Sequence, residues 1–240
     1  MARKVLIVGE SGSGKSYSAR TLPPTETVII CPDEKDPPFT GWRNNYQTVK
    51  NKEGQVSVSK SNYFRTAEAK EVLTLLKHIG ETRHNIKYVI VDTLTFMQFH
   101  SFMSRISEKG WDKWDDLAKE TWNLLKEIDY LREDLTVFIM AHTEETKTAE
   151  RRLTIPGGKL LRDKIKPQAM FTIVLETISE LTEEGSIQYS FLTNSHDSDA
   201  KSPPGMFPSL RIPNDLKLSL KYIEEHETGK SNAKVVTINN

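Results

Sequence analysis

Eight residues, Gly9-Glu10-Ser11-Gly12-Ser13-Gly14-Lys15-Ser16, match G-x-x-x-x-G-K-[ST] at every fixed position. Each fixed residue type has a job in holding a phosphate chain. The glycines let successive backbone N–H groups curl around phosphate oxygens, and a helix starting there adds the positive end of its dipole. Lys15 reaches the β and γ phosphates, and the Ser16 hydroxyl is a ligand for Mg2+. Tyr17 completes the set of candidate nucleotide contacts from Gly9 to Tyr17, so ATP and Mg2+ are the expected cofactors. A second carboxylate suits the same ion. Asp92 ends the run Lys87-Tyr88-Val89-Ile90-Val91, at the strand edge where open α/β sheets bind ligands. It is the candidate second Mg2+ anchor, paired with Ser16. Thr93 follows it rather than an acid, so a catalytic carboxylate must come from elsewhere in the chain.

These residues need a strand that ends in a turn, and the pattern around them supplies it. Lys4 to Val8 is a run of strand formers closed by Gly9, and the segment after Lys15 can start a helix that Pro23-Pro24 must end. Thr27 to Cys31 is a second strand, stopped by Pro32 and a polar, proline-broken loop at 33–38. Residues 41–60 read as irregular or hairpin-like around Glu53-Gly54. Ala69, Val72, Leu73, Leu76 and Ile79 recur at helical spacing, which predicts an amphipathic helix over 66–79 with Gly80 as its C-cap. A further helix follows from Leu117 to Leu131, then a strand at 136–141. Phe171–Leu175 and Ile187–Leu192 flank a Glu183-Glu184-Gly185 turn and read as a hairpin at one sheet edge. Strands alternating with helices predict an α/β fold with a mostly parallel sheet. From Ser198 on, four prolines and few apolar residues predict an extended segment, a short helix over 214–225 and a polar tail.

Composition limits the alternatives. The 240 residues suffice for one α/β domain with some decoration, and Lys plus Arg (33) balances Asp plus Glu (33). No global field attracts a polyanion, so such a site has to be local. The charged fraction of 28% and mean hydropathy of −0.52 suit a soluble protein, and no apolar run approaches a membrane span. The N-terminal apolar run stops after four residues, too short for a signal peptide. The single Cys31 excludes an internal disulfide and a cysteine-based metal cluster, which fits a cytoplasmic location.

Over residues 3–195 the sequence resembles the RecA-type P-loop ATPases, and more narrowly the phage RecA-like single-strand annealing ATPases. The resemblance rests on the Gly9–Ser16 loop and on one strand standing between it and the Asp92 strand. It rests also on a strand ending at Ala141-His142, and on Gly157-Gly158-Lys159-Leu160-Leu161 ahead of a further strand. It implies a three-layer RecA-like P-loop core over 1–195, with an antiparallel edge hairpin, followed by a C-terminal segment over 196–240. In the family's order the His142 strand lies between the P-loop strand and the Asp92 strand. The water-activating carboxylate maps onto Asp33 or Glu34, of which Glu34 is preferred. His142 maps onto a sensor of the γ phosphate, where RecA itself has an amide side chain; a histidine satisfied at the strand edge is the alternative.

The resemblance further implies ATP hydrolysis, recombination by single-strand annealing, binding of single-stranded DNA and self-assembly into a ring or filament, with a single-strand DNA-binding protein as a further candidate partner. A bacteriophage protein working in the host cytoplasm fits that picture. Filament-forming relatives carry an N-terminal segment ahead of the first strand; here the strand starts at once, which favours annealing over strand exchange. Two family loops touch DNA. The second maps onto 143–166; between 147 and 166, Lys147, Arg151, Arg152, Lys159, Arg162, Lys164 and Lys166 stand against only Glu150 and Asp163. Lys147, Arg151, Arg152, Lys159 and Arg162 are the candidate DNA contacts. Lys159 or Lys166 could instead reach a neighbouring subunit's ATP. The first loop, 99–116, holds Phe99, Phe102, Trp111 and Trp114 with several basic residues, but its acids outnumber them and core packing is the better account. Two other functions compete: a nucleotide or small-molecule kinase, with Arg151-Arg152 as its lid, and a nucleotide-switched protein-binding module of a replication complex.

Overall fold

The computed structural model describes residues 1–110, 112–156 and 158–230. Trp111, Gly157 and the end of the polar tail, all singled out above or implied there, lie outside the described residues.

β1 (Arg3–Gly9) runs through the middle of the sheet, and its side chains alternate between two apolar layers. Leu6 and Val8 face one layer and Val5 and Ile7 the other. After the glycine-rich turn the chain makes a helix that ends before Pro23-Pro24 as expected, but of 3-10 type, over Ser16–Thr21. Two local features keep it short. Ser18 N–H is shared between the carbonyls of Gly14 and Lys15, both at 3.1 Å, and Pro23 closes the segment seven residues after Ser16. β2 (Thr27–Ile30) follows, then a single helical turn, α1 (Trp42–Asn45). The irregular 50–56 stretch is held by an antiparallel bridge between Lys50 and Val56.

β3 (Tyr63–Phe64) precedes α2 (Ala69–Thr82), which starts three residues later than expected and passes straight through Gly80 to cap at Arg83. Gly80 is not a cap. A Cβ there would meet Leu131 Cδ2 at 2.8 Å, so glycine is where the helix and the Leu131 side chain come closest. β4 (Tyr88–Asp92) leads into α3 (Leu94–Ser104), and α4 (Asp112–Glu127) follows. The stretch 99–116 is therefore largely helical and not a loop. Within it Phe102 is stacked on Trp114 at 5.0 Å between centroids.

β5 (Thr136–Glu145) is longer than expected and folds back on β6 (Arg151–Leu153), turning part of the anticipated second loop into a hairpin. β7 (Ile173–Leu181) and β8 (Ile187–Leu192) form the expected antiparallel hairpin. β8 is not the edge, because the C-terminal segment adds β9 (Arg211–Pro213) outside it before α5 (Leu216–Glu227).

The sheet order is β3-β2-β4-β5-β1-β7-β8-β9, with β6 pairing β5; the first six of these strands are parallel. β5 lies between β1 and β4, the place that the sequence resemblance implies for the His142 strand. Helices α2, α3 and α4 cover one face through Val72, Leu76, Ile79, Met97, Leu124 and Leu125. The other face is covered by the 3-10 turn and α5 through Ala19, Leu22, Leu216, Leu220 and Ile223. Each fully buried leucine contributes roughly 1.5–3 kcal/mol, so both layers are needed to hold the strand ends in register. Among the described residues no helix is long and apolar enough to cross a membrane.

Candidate functional site

The C-terminal ends of β1, β2, β4 and β5 converge on a cleft of about 510 Å3, within the size range of small-molecule sites. Parallel pairing fixes what meets there. Gly9 lies opposite His142 in the β1–β5 register, and Asp92 opposite Met140 in the β4–β5 register. Two glycines of the turn take left-handed backbones, Gly12 at φ +82 and Gly14 at φ +101. A Cβ at Gly14 would meet the Tyr189 ring at 2.6 Å, whereas Gly12 faces open space on the cleft side. Ser13 closes the turn with a hydrogen bond from its hydroxyl to Glu10 O at 2.7 Å, while the Glu10 side chain itself faces solvent, as Ser11 does.

Lys15 is only 5% exposed, and its ammonium donates to Gly9 O at 2.8 Å and Glu10 O at 2.7 Å. Burial pulls its pKa down to about 8, against the partly offsetting charge of Asp92. The His142 Nδ1 lies 3.3 Å from the ammonium, so that nitrogen is the acceptor and the proton sits on Nε2. Burial and the charges of Lys15 and Lys35 push His142 down to about 4, which keeps the ring neutral at pH 7. Its backbone N–H donates to Thr95 Oγ1 at 2.9 Å, which ties the end of β5 to the first turn of α3.

Ser16 donates its hydroxyl to Asp92 Oδ2, and the other carboxylate oxygen, Oδ1, is buried with no hydrogen-bond partner. Burial raises the Asp92 pKa to about 6. An orphaned carboxylate oxygen beside a serine hydroxyl, next to a lysine and two open glycine backbones, fits a divalent cation carried in on phosphates. Mg2+ takes one or two protein oxygens and fills its remaining positions with water and phosphate.

The two acids of the 33–38 loop part company. Asp33 lines the cleft with its side chain 9% exposed; its carboxylate accepts the Cys31 thiol at 2.9 Å and pairs with Lys35 at 3.3 Å. Glu34, the preferred candidate from sequence, adopts φ +57 and stands exposed outside the cleft. The turn that places Asp33 inward sends its neighbour outward. Tyr17 lines the cleft, 5.4 Å from Tyr189 between centroids, with the Arg20 guanidinium over its ring at 3.9 Å.

Lys35 and Tyr189 of the cleft wall, and Asn214, which braces the glycine turn, escaped the sequence reading. Lys35 sits two positions after Asp33 and was within reach of it. Tyr189 and Asn214 carry no local signal, since they arrive from β8 and the β9–α5 junction; Asn214 donates to Gly14 O at 3.2 Å.

The candidate DNA contacts are not one patch. Arg151 pairs with Glu176, which is 1% exposed. Arg152 is held by Glu150 at 3.1 Å, Asp199 at 3.4 Å and the Ser198 carbonyl at 2.9 Å. Arg162 pairs with Asp163 at 2.9 Å. Lys147, Lys159, Lys164 and Lys166 are exposed, and no ion pair holds any of them among the described residues.

Residues 1–203 match the model of a family described as an AAA domain. No curated protein matches the chain. Among solved structures, the crystal structure of the RadB recombinase aligns at a TM-score of 0.43 and 15% identity, over 83% of this chain and 91% of that one.

Proposed function

The chain belongs to the AAA-domain family of ATPases, and from that premise and the cleft we propose that it hydrolyses ATP with Mg2+ and uses the cycle to bind and release single-stranded DNA. The observation that carries the proposal is the Ser16–Asp92 pair, with its free Oδ1, beside a buried Lys15. On ATP binding Lys15 exchanges two loop carbonyls for phosphate oxygens, and the N–H groups at Gly12 to Ser16 hold the phosphate chain. When bound, Mg2+ withdraws charge from the β and γ phosphates. Asp33 is the carboxylate that takes the proton of the attacking water, since it and not Glu34 lines the cleft. Neutral His142, in contact with Lys15 and tied through Thr95 to α3, senses loss of the terminal phosphate.

Of the DNA candidates, Lys147 and Lys159 with Lys164 and Lys166 are the cations free to meet phosphates. Lys159 or Lys166 also supports a contact to a neighbouring subunit's ATP in a homo-oligomer. Single-strand annealing of the phage type remains the activity that the sequence resemblance favours. The kinase alternative needed Arg151-Arg152 as a closing lid, and both guanidiniums are fastened to carboxylates instead.

The test is steady-state hydrolysis of Mg·ATP with and without single-stranded DNA, with Lys15→Ala as the control against contamination. The expected result is DNA-stimulated turnover in the wild type and none in the variant. ATP binding without hydrolysis in either condition overturns the ATPase reading, and hydrolysis with no retention of DNA overturns the DNA role.

A further inference from the structure

A larger cavity, of about 1050 Å3, opens at the far edge of the sheet between α2 and residues 42–58. Its floor is apolar, built from Trp42, Val58, Tyr63 and Leu75, and Val56 stands 43% exposed on its lip. Four cations ring it, Arg43, Lys50, Arg65 and Lys70, against one carboxylate, Glu71, which already accepts the Thr66 hydroxyl at 2.5 Å. In a chain of zero net charge that rim is a local positive field over an apolar floor.

The rim is wired to the ATP cleft. Arg43 and Arg65 both pair with Asp36, at 2.6 and 2.5 Å, and Asp36 is part of the cleft wall. The Tyr63 hydroxyl donates to Lys35 O at 2.6 Å. Floor and rim thus fasten two points of the loop that brings Asp33 and Lys35 to the cleft.

We propose that this groove docks an acidic segment of a partner protein carrying an apolar anchor, and that the segment's carboxylates exchange with Asp36 on Arg43 and Arg65. Chemistry selects a peptide over a nucleic acid. Base stacking needs an open ring face, but Tyr63 is 3% exposed, and guanidiniums already lie over Trp42 and Tyr63 at 4.8 and 5.5 Å. An apolar side chain on the floor leaves those guanidiniums free to take carboxylates in paired hydrogen bonds. Docking stands independently of the nucleotide; only the exchange with Asp36 rests on the ATPase reading.

Selection of a random peptide library on the full-length protein without nucleotide tests it. Enriched peptides should be rich in Asp and Glu around Leu, Phe or Trp. A labelled representative should bind wild type and Lys15→Ala alike, and lose at least about tenfold in affinity on Lys70→Glu and on Val56→Asp. Both variants leave the Asp36 pairs in place, and unchanged melting temperatures show that they fold. Enrichment of basic or uncharged peptides, or binding that survives both variants, overturns the proposal. So does a labelled oligothymidylate that binds wild type and loses affinity in the same two variants. Added to wild type, the peptide should change ATP turnover several-fold; binding with unaltered turnover overturns the exchange with Asp36. If wild type hydrolyses no ATP, the ATPase reading alone fails and the binding arm still decides the docking.

Discussion

Asp33 and Glu34 are neighbours of one charge, and three features of the turn separate them. Pro32 stops β2, the Glu34 amide donates to Cys31 O at 3.2 Å, and the backbone goes left-handed at Glu34. Asp33 is left facing the cleft; burial of Cys31, helped by its hydrogen bond to Asp33, pushes the thiol up to about 12. The expected consequence is sharp at this scale. Asp33→Asn should lower ATP turnover by about 10²- to 10⁴-fold with ATP affinity kept, as for loss of a general base, while Glu34→Gln should stay within a factor of about two of wild type. Steady-state rates with a fluorescent-nucleotide binding curve check both, and equal losses in the two variants would sink the assignment. A single sequence could not have chosen between them. The Gly9–Ser16 turn was legible because its function fixes residue types at fixed spacing, whereas the choice between adjacent acids depends on one φ angle that no residue type here dictates.

Elements were legible where the pattern was long. β1, β2 and β4 are apolar runs closed by Gly9, Pro32 and Asp92, and parallel strands buried on both faces leave that mark. β9 is three residues with a proline at its end and has no period to read. Gly80 misled because a glycine near a helix end has two physical uses, and close packing against Leu131 is the one realised here. The β5–β6 hairpin shows the same limit for charge: the Arg151 partner, Glu176, comes from β7, so the segment's own residues could not reveal that Arg151 is neutralised. That pairing makes Arg151 a structural residue. Arg151→Ala leaves a carboxylate buried without its partner, and should cost about 2–3 kcal/mol, less than a fully enclosed pair because the Arg151 side chain is 35% exposed. The melting temperature should then fall by about 5–10 °C for a domain of this size. Arg151→Met combined with Glu176→Leu should recover most of the loss, since removing both charges removes the unpaired one. A melt of Arg151→Ala identical to wild type would mean that Glu176 finds water or another donor. Loss of DNA binding in Arg151→Ala alone therefore reports folding and not contact.

At the scale of the molecule, 33 cations and 33 acids cancel, so a polyanion is held by local charge or not at all. With Arg151, Arg152 and Arg162 paired, that charge near the β5–β6 hairpin reduces to Lys147, Lys159, Lys164 and Lys166. The number of cations sets a measurable slope. Each phosphate neutralised on a single strand adds about −0.7 to the dependence of log K on log salt, so four lysines predict a slope of about −3 per protomer. Fluorescence anisotropy of a labelled oligothymidylate, titrated at several NaCl concentrations, reads it directly. Lys159→Glu should flatten the slope by about 0.7 and weaken binding at low salt, without moving the melting temperature, because no ion pair among the described residues holds that side chain. Lys50→Glu and Lys70→Glu, at the β3 edge of the sheet, should leave the slope as it is, since their groove is shaped for carboxylates on a peptide. A slope near zero would remove the lysines around the hairpin from DNA binding. A slope that responds to Lys70 and not to Lys159 would put the nucleic acid at the β3 edge of the sheet, in the groove assigned to a protein partner.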